Sequence, residues 1–97
     1  MNTRQQKILQ ASVSAGHFDD DRTIVAYIDT GGFAETVSSL NQAFPDHFTH
    51  TFAAKANTMS RALAEVRKLG MGCEVASPGE LEQALRAGFS PGEIVYD

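Results

Sequence analysis

The chain has 97 residues, 42% hydrophobic and 21% charged, an ordinary globular composition with room for one modest core. Its 8 basic and 12 acidic residues leave a net charge of -4, and the basic residues are scattered, which argues against a nucleic-acid backbone or a polyphosphate or lipid headgroup as partner. One cysteine, Cys73, excludes an internal disulfide framework and a cysteine-rich zinc site, and no apolar run approaches the roughly 20 residues of a membrane span.

Met1 to Gln10 is polar and lacks the apolar core of a secretory signal, so a soluble cytoplasmic protein is expected. Thr3 to Ala15 carries only Ile8, Leu9 and Val13 as scattered larger apolar positions. Gly16 and Asp19-Asp20-Asp21 then interrupt it, so residues 1–22 read as a polar tail or weak helix ending in a solvated acidic turn. Thr23-Ile24-Val25-Ala26-Tyr27-Ile28-Asp29 has the β-branched and aromatic content of a strand. Thr30-Gly31-Gly32 reads as a break. Phe33, Val37, Leu40 and Phe44 then recur at helical spacing, and Pro45 and Asp46 end that helix.

Phe48 to Lys55 reads as the second strand. Asn57 or Thr58 is placed to cap the next helix, whose apolar stripe is Met59, Leu63, Val66 and, less regularly, Leu69. Arg67 and Lys68 lie where they complement the negative end of the macrodipole, and Gly70 suits the left-handed residue after the helix. Cys73 to Ala76 is a third strand. Ser77-Pro78-Gly79-Glu80 has the pattern of a capping box with proline at the first helical position. That helix would turn Leu81, Ala84 and Leu85 inward and stop at Gly88; Pro91 makes a turn, and Glu93 to Tyr96 is a fourth strand before Asp97.

Strands alternating with helices through short connections specify a parallel sheet. An open doubly wound sheet and a closed eight-stranded barrel both satisfy the pattern. A barrel takes about 250 residues, and a last strand without a helix would leave an unpaired edge. The expectation is therefore the N-terminal piece of a longer protein.

In parallel α/β folds the C-terminal strand ends form the active-site face. Three strand ends here carry polar groups: Lys55 and Asn57, Glu74 and Ser77, and Asp97. A lysine at the end of a buried strand either extends its head group to solvent or loses hydration, which favours the neutral amine that Schiff-base chemistry needs. Glu74 alternates with Cys73 and Val75 and so takes the opposite sheet face. There it either meets water at an edge or faces a barrel interior, where a cation must compensate it. Ser77 and Glu80 are read as a helix cap and Cys73 as packing. His17, His47 and His50 lack metal spacing, and Gly70-x-Gly72 precedes a strand rather than opening a helix, unlike a nucleotide loop.

Three ordered blocks carry a resemblance. They are Phe52-Ala53-Ala54-Lys55-Ala56-Asn57; Gly70-Met71-Gly72-Cys73-Glu74-Val75-Ala76-Ser77-Pro78-Gly79-Glu80-Leu81; and Ala84-Leu85-Arg86-Ala87-Gly88 with Pro91-Gly92-Glu93-Ile94-Val95-Tyr96. Together they resemble the N-terminal part of the pyridoxal-phosphate-dependent ornithine/diaminopimelate/arginine decarboxylases, which have the alanine-racemase-like (β/α)8 TIM barrel of fold type III. The resemblance covers Thr23 to Asp97. It implies an α/β fold comprising the first strands and helices of that barrel, incomplete in this chain, with residues 23–97 as the N-terminal portion of the cofactor-binding domain. Thr23 to Asp29 would be a strand belonging to a separate β domain.

The resemblance also implies roles. Lys55 matches the catalytic lysine that holds pyridoxal 5'-phosphate as an internal aldimine. Glu74 matches a cofactor-proximal position where the family usually has aspartate, so the acid is kept but is one methylene longer. The implied activity is decarboxylation of a small basic or diamino acid by a homodimeric full-length enzyme, the cofactor ring acting as electron sink. The phosphate-binding loop, the acid that pairs with the pyridine nitrogen and a cross-dimer cysteine would lie further along. The 97 residues alone are therefore expected to be inactive. Two alternatives stand beside this. One is an amino-acid racemase of the same fold, although racemases typically follow the lysine block with an aromatic-Gly-His run where this chain has Thr58-Met59-Ser60. The other is a non-catalytic regulatory relative, against which the retained Lys55 speaks.

Overall fold

A computed structural model describes all residues, Met1 to Asp97. Four helices and three strands follow in the order α1 (Thr3–Ser14), α2 (Thr30–Ala43), β1 (Thr51–Ala53), α3 (Ser60–Lys68), β2 (Gly72–Val75), α4 (Pro78–Arg86) and β3 (Ile94–Tyr96). Short 3-10 turns at Ala54–Ala56 and Pro91–Glu93 lie directly after β1 and directly before β3. The strands form one sheet in the order β1-β2-β3, parallel throughout. The α/β alternation and parallel sheet expected from the sequence are therefore present.

The register aligns Phe52 with Cys73 and Cys73 with Ile94, and, one step on, Ala53 with Glu74 and Glu74 with Val95. Side chains alternate between faces along each strand, so the first row belongs to one face and the second to the other. The helices cover the first face. Ala54, Leu63, Val66, Cys73, Val75, Ala84 and Phe89 form the buried core, with Phe52, Met71, Leu81, Ala87 and Ile94 packed against it. Only 11 of the 97 residues are buried, so this core is small and the row holding Glu74 has no layer over it. The radius of gyration is 15.9 Å, against about 12.5 Å for a compact domain of this length. The extents of 45 × 32 × 18 Å describe a slab.

Local signals set most helix limits. At Ser77, Oγ accepts from Glu80 N–H at 3.1 Å and donates to Glu80 Oε2 at 3.1 Å, so the cap forms but its return bond runs from the hydroxyl rather than from the Ser77 backbone. Gly70 and Gly88 take φ of +87° and +105° after α3 and α4, the left-handed region where a Cβ is penalised. Phe44 is extended, as the residue before a proline prefers, and α2 stops there.

Several expectations are corrected. Thr23 to Asp29 is not a strand; it joins no ladder, the sheet being β1-β2-β3 alone with the outer edge of β1 unpaired. Residues 3–14 form a complete helix with a reciprocal capping box, in which Asn2 Oδ1 accepts from Gln5 N–H and Gln5 Oε1 accepts from Asn2 N–H. Thr30-Gly31-Gly32 is the first turn of α2 rather than a break, because Asp29 caps it by accepting from Gly32 N–H at 2.9 Å. The strand expected over Phe48 to Lys55 shrinks to three residues, since β2 begins opposite Thr51 and the chain turns out of the ladder at Ala54. Met59 and Leu85 are 56% and 46% exposed instead of buried, while Leu63 and Val66 hold the core as expected.

α1 is fastened to the start of α2. The Arg4 guanidinium pairs with Asp29, through Nε to Oδ2 and through Nη2 to Oδ1 at 3.0 Å, and reaches Glu35 at 3.2 Å. Ser12, buried within α1, hydrogen-bonds the Tyr27 hydroxyl, which also meets His17 Nδ1 at 2.7 Å.

Candidate active site

β1, β2 and β3 run parallel, so their C-terminal ends lie on one edge of the sheet. The chain leaves β1 through Ala54-Lys55-Ala56, leaves β2 at Ala76-Ser77 and leaves β3 at Asp97. Asp97 N–H donates to Val75 O at 2.8 Å, which fastens the third end to the second. Lys55, Glu74, Ser77 and Asp97, all singled out from the sequence, thus belong to one edge of one sheet.

Lys55 sits in the 3-10 turn rather than in the strand. Its neighbour Ala54 is completely buried, while Lys55 itself is exposed. No carboxylate lies within ion-pairing distance of its ammonium, and it makes no hydrogen bond. The loss of hydration expected for a lysine at a buried strand end is therefore not imposed by this chain. The amine is instead free and open at the functional edge.

Glu74 is half-buried on β2, between Ala53 and Val95 in the register, on the face away from the core. Its carboxylate has no partner among the ion pairs. Its charge reaches Cys73 on the other face. The Cys73 thiol is pushed up first by burial, and then by the negative charges of Glu80 and Glu74. A thiol held protonated and completely buried is packing, as its place in the core shows. Ser77 is engaged by Glu80 at the start of α4 and is not available as a free nucleophile.

Asn57 behaves differently from its expected role. α3 begins after Met59, and its N-cap has no side-chain bond. Asn57 Oδ1 instead accepts from Met59 N–H at 3.0 Å, ahead of the helix. Three features were not read from the sequence: this bond, the Arg4–Asp29 pair and the Ser12–Tyr27–His17 cluster. The Asn2-x-x-Gln5 spacing was a legible cap signal for α1; the Arg4–Asp29 and Ser12–Tyr27–His17 contacts join residues too far apart for a local pattern to show.

An apolar cavity of about 510 Å³ lies elsewhere, between α2 and the core side of β1 and α3, with Phe33, Val37, Leu40, Phe52 and Val66 in its lining. Lys55 and Glu74 are not among its walls. It is a packing groove behind the sheet, and the chemistry-bearing residues belong to the opposite face and edge.

The edge suits a carbonyl cofactor. A primary amine without a partner can add to an aldehyde, and Glu74 on the adjacent strand would supply negative charge at the same edge. No cluster of histidine, cysteine and acidic residues is arranged to hold a metal. No helix is long and apolar enough to cross a membrane.

Residues 30–97 match the family described as pyridoxal-dependent decarboxylase, pyridoxal binding domain, whose cofactor is pyridoxal phosphate. Among curated proteins, the chain is 38% identical over 73 residues to a diaminopimelate decarboxylase of Bacteroides thetaiotaomicron, covering 72% of this chain and 19% of that protein. It is 35% identical over 91 residues to an ornithine decarboxylase of Schizosaccharomyces pombe, covering 94% of this chain and 20% of that protein. A diaminopimelate decarboxylase of Methanothermobacter thermautotrophicus is 33% identical over 81 residues, 80% of this chain and 19% of the relative. The chain thus spans about a fifth of the length of these relatives. No solved structure matches. With the matched region extending from the first turn of α2 through β3 and containing Lys55 and Glu74, the chain belongs to the pyridoxal-dependent decarboxylase family, in its pyridoxal binding domain.

Proposed function

We propose that this chain is the cofactor-anchoring N-terminal part of a decarboxylase acting on a basic or diamino acid, with Lys55 as the residue that attaches pyridoxal phosphate. The observation that carries this is the unpaired, exposed amine of Lys55 at the C-terminal end of a parallel strand, inside the matched region. The diaminopimelate and ornithine decarboxylases among the relatives support the substrate class.

Each residue then has a task. Lys55 supplies the amine and yields its place to the substrate's amino group. Glu74 supplies negative charge beside the attachment point, from a side chain one methylene longer than the aspartate usual in the family. Ala53 and Val95, its neighbours in the register, are apolar and limit competing hydrogen bonds. When bound, the cofactor supplies an electron sink for the bond that breaks.

The three parallel strands are read as the opening strands of a (β/α)8 barrel, with residues 23–97 inside the barrel domain and residues 1–22 outside it. The full-length protein is read as a cytoplasmic homodimer. The 97 residues alone lack the strands that would close a site around the substrate, and they are expected to turn nothing over.

The test is the intact mass of the protein from its native source, before and after borohydride reduction, with peptide mapping of any adduct. A chain several times longer than 97 residues with a reduced pyridoxyl group on Lys55 is the expected result. A long chain without an adduct, cofactor being in excess, would replace the enzyme with a non-catalytic relative. An adduct on another lysine would remove Lys55 from its role.

A further inference from the structure

Asn57 follows Lys55 by two residues; its backbone N–H bonds back into the turn that carries the lysine, and its side chain bonds forward to the chain that leaves the turn. Its N–H donates to Ala54 O at 3.0 Å, which closes the 3-10 turn carrying Lys55. Its Oδ1 accepts from Met59 N–H at 3.0 Å, which fixes the path out of the turn. A helix cap would accept from the second or third residue of α3. This carboxamide acts before the helix starts and leaves the α3 N-cap without a side-chain bond. Its hydrogen bonding therefore ties the end of the Lys55 turn to the residue that leads into α3.

Burial points the same way. From Lys55 to Ser60 every residue is exposed except Asn57, which is half-buried. It is seated at the wall of the apolar groove beside Phe33, Phe52 and Val66. On the other side of Lys55, Ala54 is completely buried. The lysine is thus a free side chain on a backbone held at Ala54 before it and at Asn57 two residues after it. Adding an amine to an aldehyde demands a defined approach, and fixing the backbone in advance removes part of the entropy that the reaction would otherwise lose.

We propose that Asn57 is a positioning residue for Lys55, its carboxamide holding the turn that presents the amine at the sheet edge. This rests on the attachment at Lys55 proposed above. Asn57 makes no hydrogen bond to the Lys55 amine and acts only through the backbone.

The experiment treats the full-length protein with pyridoxal phosphate, reduces it with borohydride and maps the label, comparing Lys55 with Lys7 and Lys68, the other lysines of these 97 residues. The amine and aldehyde join with loss of water. Borohydride then delivers hydride to the new bond, solvent supplies the proton, and a stable secondary amine marks the lysine that reacted. Wild type is expected to label Lys55 in preference to the other two. Asn57→Ala is expected to lower the Lys55 share about five-fold, the size of one lost neutral hydrogen bond, and to speed exchange of the Met59 amide. Asn57→Asp keeps the acceptor oxygen and is expected to restore both.

Met59→Pro deletes the same bond from the donor side. Met59 already has φ of -61°, the angle proline imposes, so this variant tests the bond without depending on the folding of Asn57→Ala. It is expected to reproduce the loss at Lys55. The proposal is overturned if Asn57→Ala and Met59→Pro label Lys55 as wild type does, or if Asn57→Asp fails to restore it. In those cases the wild-type preference leaves the attachment reading standing. A wild type that shows no preference for Lys55 overturns the attachment reading and the positioning role together.

Discussion

Ala53 and Glu74 are paired directly across the β1–β2 ladder, on the sheet face that carries no helices. Lys55 follows Ala53 by two residues, in the turn that continues β1. A carboxylate and an amine that are 19 positions apart in sequence are therefore brought to adjacent strands at the same edge. Glu74→Gln removes the charge and keeps the shape. It is expected to lower borohydride-trapped cofactor on Lys55 by about two- to five-fold, the effect of a screened pair worth under about 1 kcal/mol. Unchanged trapping at several salt concentrations would show that the carboxylate does not act on that amine.

Lys55→Ala should separate chemistry from stability. The side chain is exposed and unpaired, so its loss should shift unfolding free energy by no more than about 0.5 kcal/mol. The pyridoxyl label at this position should vanish completely. A denaturant midpoint clearly below wild type would mean that Lys55 has a structural partner.

Gly72 marks the tightest backbone approach in the sheet. A Cβ there would stand 2.7 Å from Glu93 O and 3.2 Å from Thr51 Cγ2, and the first of these is backbone that cannot swing away. Gly72→Ala is expected to destabilise by about 1–3 kcal/mol, as overpacking does. Gly92→Ala, with nothing within 4 Å of its Cβ, is the matched control and should stay within about 0.5 kcal/mol. Equal melting temperatures for the two variants would contradict the close approach of β2 to the chain before β3.

Ser77→Ala tests the start of α4. The hydroxyl accepts from Glu80 N–H and donates to its carboxylate, and alanine can do neither. The expected loss is about 1 kcal/mol, or a fall of about 4–8 °C in Tm for a chain of this size. Ser77→Asp, which retains an acceptor, should lose much less.

The fastening of α1 is acid-sensitive. Asp29 is lowered to about 2 from 3.8, first by the hydrogen bond from Arg4 and then by the backbone N–H of Gly32. Asp19 is lowered in the same sense by Arg22. A depressed carboxylate contributes stability that is present above its unfolded value and disappears as the pH falls through its folded one. The Arg4–Asp29 contact should therefore be intact at pH 5 and lost between pH 3.8 and about 2. Titration of the Gly32 amide by NMR reads this directly. Asp29→Asn keeps an acceptor for the cap and should flatten that titration.

The sequence determined by itself whatever depends on near neighbours. Ser77, Pro78 and Glu80 announced α4, Gly70 and Gly88 announced the ends of α3 and α4, and the spacing of Leu63 and Val66 announced a buried stripe, because caps, left-handed glycines and helical period act within a few residues. The three motif blocks likewise place the chain in its family. The tertiary structure alone decided what depends on a distant partner. Thr23 to Asp29 has the composition of a strand but no ladder to join, and β1 ends at Ala53 because the chain enters a 3-10 turn there, although β2 runs on to Val75. Met59 keeps the helical spacing yet stays exposed because no element packs over it. The same physics placed Lys55 in a turn and bonded the Asn57 carboxamide to Met59 at the entry of α3. A hydrogen bond or a buried contact exists only where the folded chain supplies its other half.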